Sequence, residues 1–275
     1  MKRGGSGKTT IAMHVAVALL KEGQRVGTID LDGNQKSFTH YIENRCIWAK
    51  HQGIELETPI HRHIPRAEGA KLDENEAQEL AAFEEVIASF GESVDFLVID
   101  TPAHDSYLMR LAHLAADTVL TPLNDSFLDF GTLASIDPVR HEVTETGHYA
   151  AMVVGARQQR RSFDHSHINW LVIRNRFSLR RLLDDGLDKL AMRLGFRPLD
   201  GCAERILYRQ LFPLGINRFR QVGGGDFENS AEPDTFRSAA GGQRPFTHYA
   251  TTDQRPRAPP SGRPRRMVCF VQYAA

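Results

Sequence analysis

No apolar run in this chain approaches the roughly 20 residues a membrane-spanning helix requires, so nothing in it reads as a bilayer span. Cysteine is scarce as well. Cys46, Cys202 and Cys269 stand far apart and form no C-x-x-C pair, which excludes a disulfide framework and leaves buried or incidental thiols. Leucine is missing from a whole region: the first 215 residues hold 25 and the remaining 60 hold none, nor any lysine. That tail carries Gly223-Gly224-Gly225, Pro259-Pro260 and nine arginines, without a helical or strand period able to bury a core. Two readings of it stand: a disordered basic tail, or translation out of frame, which accounts for the lost leucines. The expected organisation is therefore a folded domain over residues 1–215 and an atypical tail over 216–275.

Net charge is absent too, but the formal zero hides segregation. Eleven acids from Glu68 to Asp105 face one base, Lys71, whereas twelve Arg and Lys residues between Arg157 and Arg209 face six acids. A charge run is commonly a solvated face; a basic surface meeting DNA phosphates is the functional alternative. The length and 41% hydrophobic content suffice for a buried core, in one large domain or two small ones.

What is present begins almost at the first residue. Arg3-Gly4-Gly5-Ser6-Gly7-Lys8-Thr9-Thr10 is a phosphate-binding loop, and the apolar run Ile11 to Leu20 follows it directly. Its glycines let backbone N–H groups turn around phosphate oxygens, Lys8 reaches the β and γ phosphates, and the Thr9 hydroxyl serves magnesium at a helix N-terminus. Lys2 occupies the first glycine position of G-x-x-x-x-G-K-[ST], so the match is to the deviant form K-G-G-x-G-K-[ST], with Arg3 in the place of the first lysine. Such a loop normally hangs from a buried strand, and only Met1 and Lys2 precede it. The expectation is an N-terminally truncated domain lacking its first strand. With a phosphate loop at its N-terminus, the expectation is a chain without a signal peptide and located in the cytoplasm.

Periodicity predicts a helix over 8–21 stopped by Gly23, a strand over 26–31, a helix over 38–51 ended by Gly53, and a helix running to Phe90 from an Asp73/Glu76 capping box. Phe96-Leu97-Val98-Ile99, Thr118-Val119-Leu120 and Trp170-Leu171-Val172-Ile173 are short apolar runs of buried parallel strands. Helices over 106–115, 131–145 and 179–194 separate them. This order specifies an α/β fold with right-handed crossovers: a doubly wound, mostly parallel sheet of P-loop NTPase type.

Asp30-Leu31-Asp32 ends one strand and Asp100-Thr101-Pro102 another, and in an open α/β sheet both ends face the crevice of the phosphate loop. Asp100 takes the Walker B role, holding Mg²⁺ with Thr9, and Asp30 is counted with them. Asp32, with Asp30 as the alternative, orients or deprotonates the attacking water. The competing reading is that these acids only cap strands and open turns.

Together with Thr121 to Phe130, Ile136-Asp137-Pro138, Val172 to Arg176 and Tyr208 to Gly215, these motifs resemble the ParA/MinD family of deviant Walker ATPases, and within it the branch that positions the division plane. The resemblance covers about residues 1–215 and implies an ATP-dependent switch, monomeric without ATP and a sandwich homodimer with it. It also implies non-specific DNA binding and nucleoid association, inhibition of FtsZ assembly, and recruitment by a ParB-type protein. It assigns Arg3 to the partner's phosphates, Gly4, Gly5, Ser6, Gly7, Lys8, Thr9 and Thr10 to ATP, Asn175 to the adenine edge and Pro213 to the side of the base. Arg180, Arg181, Arg205 and Arg209 become candidate DNA contacts. A membrane-bound relative needs an amphipathic C-terminal helix, which the Pro/Gly tail does not offer, and iron-cluster relatives need cysteines that residues 100–135 lack. A ParA-type chromosome or plasmid partition ATPase is the alternative within the family, and a truncated, non-catalytic remnant or binding protein the alternative outside it. His61-Arg62-His63 and His165-Ser166-His167 read as solvated loop histidines rather than a metal site, and Trp48 and Trp170 as core or interface residues.

Overall fold

The computed structural model describes residues 7–33, 35–124, 127–136, 143–177, 184–203, 211, 214–216 and 266–270. Two compact units divide the chain: Thr9–Asp100 with Arg205–Met267, and Met1–Lys8 with Thr101–Glu204 and Val268–Ala275.

The first unit alternates helix and strand. Helix α1 (Lys8–Lys21) buries every residue from Ile11 to Leu19, as an all-round apolar helix must. It stops where Gly23 turns left-handed at φ 75, with Gly23 N donating to Leu20 O at 2.9 Å and Gln24 N to Leu19 O at 3.0 Å. Then come β1 (Val26–Asp30), α2 (Ser37–Gln52), β2 (Ile60–His63), α3 (Leu72–Phe90), a 3-10 turn (Gly91–Ser93) and β3 (Phe96–Asp100). The strands lie side by side as β2-β1-β3, all parallel, with Asp30 level with His63 on one side and Asp100 on the other. Gly27 in β1 leaves room for the Phe90 ring, which a Cβ there would approach to 2.7 Å. Buried Arg45 of α2 donates to Glu57 O at 2.9 Å and Gly215 O at 3.2 Å, fastening residues 214–216 to the helix.

The second unit carries α4 (Tyr107–Ala115), β4 (Thr118–Asn124), α5 (Phe127–Leu133), a β5 (Ala134–Ile136) and β6 (Val143–Thr146) hairpin, α6 (His148–Asp164), β7 (Asn169–Phe177), α7 (Asp184–Leu194), β8 (Arg197–Ala203) and β9 (Arg266–Phe270). Its strands run β9-β4-β7-β8, again parallel. In the core Tyr149 meets Trp170 edge to face, and Phe196 lies tilted against Trp170. Trp170 Nε1 donates to Thr121 Oγ1 at 3.0 Å, and that hydroxyl lies 2.7 Å from Tyr149 Oη, so each buried polar tip has a partner. The seven strands belong to one mostly parallel sheet flanked by helices, the expected fold class.

Several local expectations fail for identifiable reasons. Of the 131–145 helix, residues 131–133 end α5 and Ala134–Ile136 pairs antiparallel with Val143–Thr146, whose Val143, Thr144 and Thr146 favour strand; residues 137–142 lie outside the described ones. The Asp73/Glu76 capping box does not form. Asp73 lies inside the first turn of α3, and Asn75 instead exchanges two hydrogen bonds with Gly69, at 2.7 and 2.9 Å. The 179–194 helix is α7 from Asp184 onward, and residues 178–183 lie outside the described ones. The tail contributes β9, whose Met267, Val268, Cys269 and Phe270 are buried and which pairs with β4, so the expectation of a tail unable to bury a core does not hold there. Among the described residues no strand precedes α1.

Candidate nucleotide-binding site

In the first unit, β1 and β3 end level with each other on two buried aspartates. Leu31 N donates to Asp100 O at 2.9 Å, locking the loop after β1 to the end of β3. Asp100 accepts a 2.6 Å hydrogen bond at Oδ2 from the hydroxyl of Thr9, in the first turn of α1. A threonine hydroxyl against a carboxylate at a helix N-terminus is an all-oxygen donor pair, which suits a hard cation such as Mg²⁺ that takes its remaining ligands from phosphate and water. Among the described residues no cluster of three or more His, Cys, Asp or Glu could hold a metal ion by itself.

Asp30 is occupied differently. Its Oδ1 accepts from Asp32 N at 2.9 Å, and its Oδ2 accepts from Thr39 N at 2.9 Å and Thr39 Oγ1 at 3.0 Å. It thereby caps the start of α2, whose own N-cap residue, Lys36, makes no side-chain cap. Asp30, counted from sequence with Thr9 and Asp100 at the metal, is thus hydrogen-bonded to the loop after β1 and to the start of α2. Asp32 is half-buried in the turn that follows. Its Oδ1 accepts from Gln35 N at 3.1 Å and its carbonyl from Lys36 N at 2.9 Å, with Lys36 left-handed at φ 47.

In the second unit, Gly7 is left-handed at φ 84, and a Cβ there would stand 2.4 Å from Asn175 Nδ2. Asn175 is buried at the end of β7, level with Asn124 at the end of β4. Asn124 N donates to Asp129 Oδ2 at 3.1 Å, tying the end of β4 to α5. The side-chain amide assigned to the adenine edge thus touches the phosphate loop. Lys8 and Thr10 sit in the first turn of α1. Arg3, Gly4, Gly5, Ser6, Pro213, Arg180, Arg181, Arg205 and Arg209 lie outside the described residues.

Part of the basic segment is internal rather than free for a ligand. Buried Arg160 donates to Asp164 Oδ2 at 2.7 Å and Leu114 O at 2.6 Å, and Arg157 to Leu194 O at 3.1 Å. The 61–63 histidines are not a solvated loop but β2, with His61 hydrogen-bonded to Thr28 and Thr39. A four-residue edge strand of Ile, His, Arg and His carries almost no apolar signal, and the nine-residue separation of Asp30 and Thr39 follows no motif.

A Gly-Lys-Thr run opening a helix, a hydroxyl–carboxylate pair in its first turn, and a mostly parallel sheet with acids at its carboxyl ends are the features of a P-loop nucleotide-binding fold. The model of the family described as ATPase MipZ matches residues 1–225, and the chain belongs to that family. It is 32% identical over 141 residues to protein IncC of Escherichia coli, covering 45% of this chain and 38% of IncC. It is 31% identical over 153 residues to the chromosome-partitioning ATPase Soj of Thermus thermophilus, covering 50% of this chain and 60% of Soj. The chain thus spans less than two thirds of the length of these relatives. In fold it is similar to cobyrinic acid a,c-diamide synthase of Mycobacterium smegmatis, a structure with bound ADP and magnesium, with TM-score 0.52, 17% identity, 94% of this chain and 97% of that one. Among the described residues no helix is long and apolar enough to cross a membrane.

Proposed function

We propose that the chain is an ATP-dependent dimerising switch that positions the division plane by inhibiting FtsZ assembly while bound non-specifically to DNA. The observation that carries the ATPase part is the 2.6 Å Thr9–Asp100 pair placed directly after the Gly7-Lys8 turn. Lys8 neutralises the β and γ phosphates, the backbone N–H groups of residues 4–8 cradle them, and Asn175 holds the Gly7 turn in shape while Pro213 flanks the base. Thr9 and Asp100 hold Mg²⁺, which supplies charge neutralisation at the phosphate oxygens. Asp32 orients the attacking water, with Asp30 fixing the backbone that carries it. Arg3 reaches the phosphates of the second copy. The outcome of hydrolysis is release of the dimer, so turnover acts as a timer.

The DNA surface is assigned to Arg180, Arg181, Arg205 and Arg209, a ParB-type protein is the recruiting partner, and a nucleoid-associated cytoplasmic location follows from DNA binding. A second reading, a chromosome or plasmid partition ATPase, is favoured by the identity with IncC and Soj. The two separate on addition of FtsZ or of a ParB-type protein: the first predicts loss of FtsZ polymer in light scattering, the second faster ATP hydrolysis with ParB and no effect on FtsZ. For the ATPase reading common to both, Lys8→Gln is expected to abolish ATP binding in calorimetry, because Arg3 is assigned to the second copy's phosphates and Lys8 alone supplies charge to those of its own loop. Near-normal affinity in that variant contradicts the assigned loop.

A further inference from the structure

The proposed role of Asp32 leaves open what holds its loop in place, and the hydrogen bonds behind β1 supply an answer. Asp30 accepts at both carboxylate oxygens, one from Asp32 N and the other from the amide and hydroxyl of Thr39. The single hydroxyl proton of Thr39 is therefore committed to Asp30. Towards His61 Nε2, 3.0 Å away, Thr39 Oγ1 can only accept, so the ring carries its proton on Nε2. His61 Nδ1 is then an acceptor, and Thr28 Oγ1 at 2.9 Å is its donor. The bonds run one way from Thr28 through His61 and Thr39 to Asp30, which accepts from Asp32 N on its other oxygen, and together they join the middle of β1, the edge strand β2, the first turn of α2 and the loop bearing Asp32.

We propose that His61 is a positioning residue for hydrolysis: by donating to Thr39 it sets the hydroxyl that fixes Asp30, and through Asp30 the backbone of Asp32. This rests on the reading that Asp32 orients the attacking water. Packing supports a defined ring orientation, since Phe38 meets the imidazole edge-on with centroids 5.9 Å apart. Burial of the ring pushes its pKa down to about 4, an effect that Asp30 and Glu43 oppose and that His63 and Arg62 reinforce, so the ring remains neutral and keeps its acceptor nitrogen at neutral pH. His61 touches no reacting atom; its effect is transmitted.

Three measurements on the full chain test this. Nitrogen-15 spectra of the unmodified protein at neutral pH are expected to show His61 as the Nε2–H tautomer, and an Nδ1–H tautomer overturns the proposal. His61→Leu removes the donor while keeping bulk. Its kcat for ATP is expected to fall about tenfold with KM changed less than about twofold, the pattern of a lost transition-state arrangement. Amide hydrogen exchange at Asp32 and Thr39 in the nucleotide-free protein should accelerate in that variant. His61→Gln, which can still donate to Thr39, is expected to restore both kcat and exchange protection. Equal losses in His61→Leu and His61→Gln, or a change in KM alone, contradict positioning and leave a packing role. Asp32→Ala separates the two levels: if it abolishes turnover while His61→Leu does not affect it, only the positioning role falls. If Asp32→Ala leaves turnover unchanged, the hydrolytic reading of Asp32 falls and takes this proposal with it.

Discussion

Asp30 and Asp100 end neighbouring strands in register, both buried, and their hydrogen bonds differ in kind. Asp30 accepts from two backbone amides, Asp32 N in the loop after β1 and Thr39 N at the start of α2, and from the Thr39 hydroxyl. Asp100 takes a side-chain hydroxyl from the first turn of α1, a partner that can exchange for a cation without any backbone movement. The contrast shows that the carboxyl end of a strand in an α/β sheet is not by itself a ligand site. Whether a carboxylate there is scaffold or ligand depends on whether its donors belong to the backbone or to side chains that a ligand can replace.

The largest expected effect sharpens the comparison at its third member. Asp32→Ala should lower turnover by about 10²- to 10⁴-fold, the range for a group that orients or deprotonates the nucleophile, while ATP binding and dimerisation persist. Steady-state hydrolysis with light scattering in parallel checks this, and an unchanged rate or a monomer in ATP counts against it. Asp30→Ala should act on stability instead. Losing three accepted bonds and leaving buried donors bare is expected to cost about 3 to 5 kcal/mol, read as a lower denaturation midpoint without nucleotide. Asp100→Ala, by contrast, should cost less stability and more nucleotide affinity. Similar stability losses in both variants would erase the distinction.

These assignments were legible in the sequence to different depths. Helix α1 and strands β1, β3, β4 and β7 could be read because continuous apolar runs are what buried parallel strands and a buried helix require, and Gly23 and Gly53 mark helix ends where the backbone is left-handed, at φ 75 and φ 63. The pairing of Thr9 with Asp100 was legible because a motif fixes both partners. Helix α6 was not: Gly147 precedes it without a side-chain cap, and its charged residues obscure the buried face of Tyr149, Ala150, Val153 and Ala156. Strand β9 was hidden because five residues are lost in the composition of a leucine-free tail. The hydrogen bonds of Asp30 were not legible because its donors, Asp32 N and the amide and hydroxyl of Thr39, come from loop geometry and the start of α2, which no spacing rule encodes.

A smaller effect distinguishes the histidines buried in the two units. Burial pushes both His61 and His113 down to about 4, so each is neutral in the folded protein where its unfolded counterpart, near 6.5, has begun to bind a proton. Their contribution is fully present above pH 6.5 and is lost as pH falls from 6.5 towards 4, at up to about 1.4 kcal/mol per pH unit for each histidine. Thermal denaturation between pH 7 and 4 should show this slope, shallower in His113→Phe. A flat profile in the unmodified protein contradicts the burial of these rings.

The smallest expected effect concerns DNA. Arg205→Ala with Arg209→Ala should weaken ATP-dependent binding to two unrelated duplexes equally and reduce the salt dependence by about 0.9 per lost phosphate contact. Arg160→Ala should instead act on stability, since its guanidinium is tied to Asp164 and Leu114. Fluorescence anisotropy across a salt series separates these outcomes, and strong preference for one duplex argues against non-specific contacts.

The most direct test of the central claim is the magnesium dependence of ATP affinity, measured by calorimetry in the unmodified protein and in Thr9→Ala. If Thr9 and Asp100 share Mg²⁺ beside the phosphates, magnesium should raise affinity by about tenfold or more in the unmodified protein, and most of that gain should vanish in the variant, a difference of about 1.4 kcal/mol. Equal affinity with and without magnesium, or a full magnesium gain in Thr9→Ala, would contradict the account.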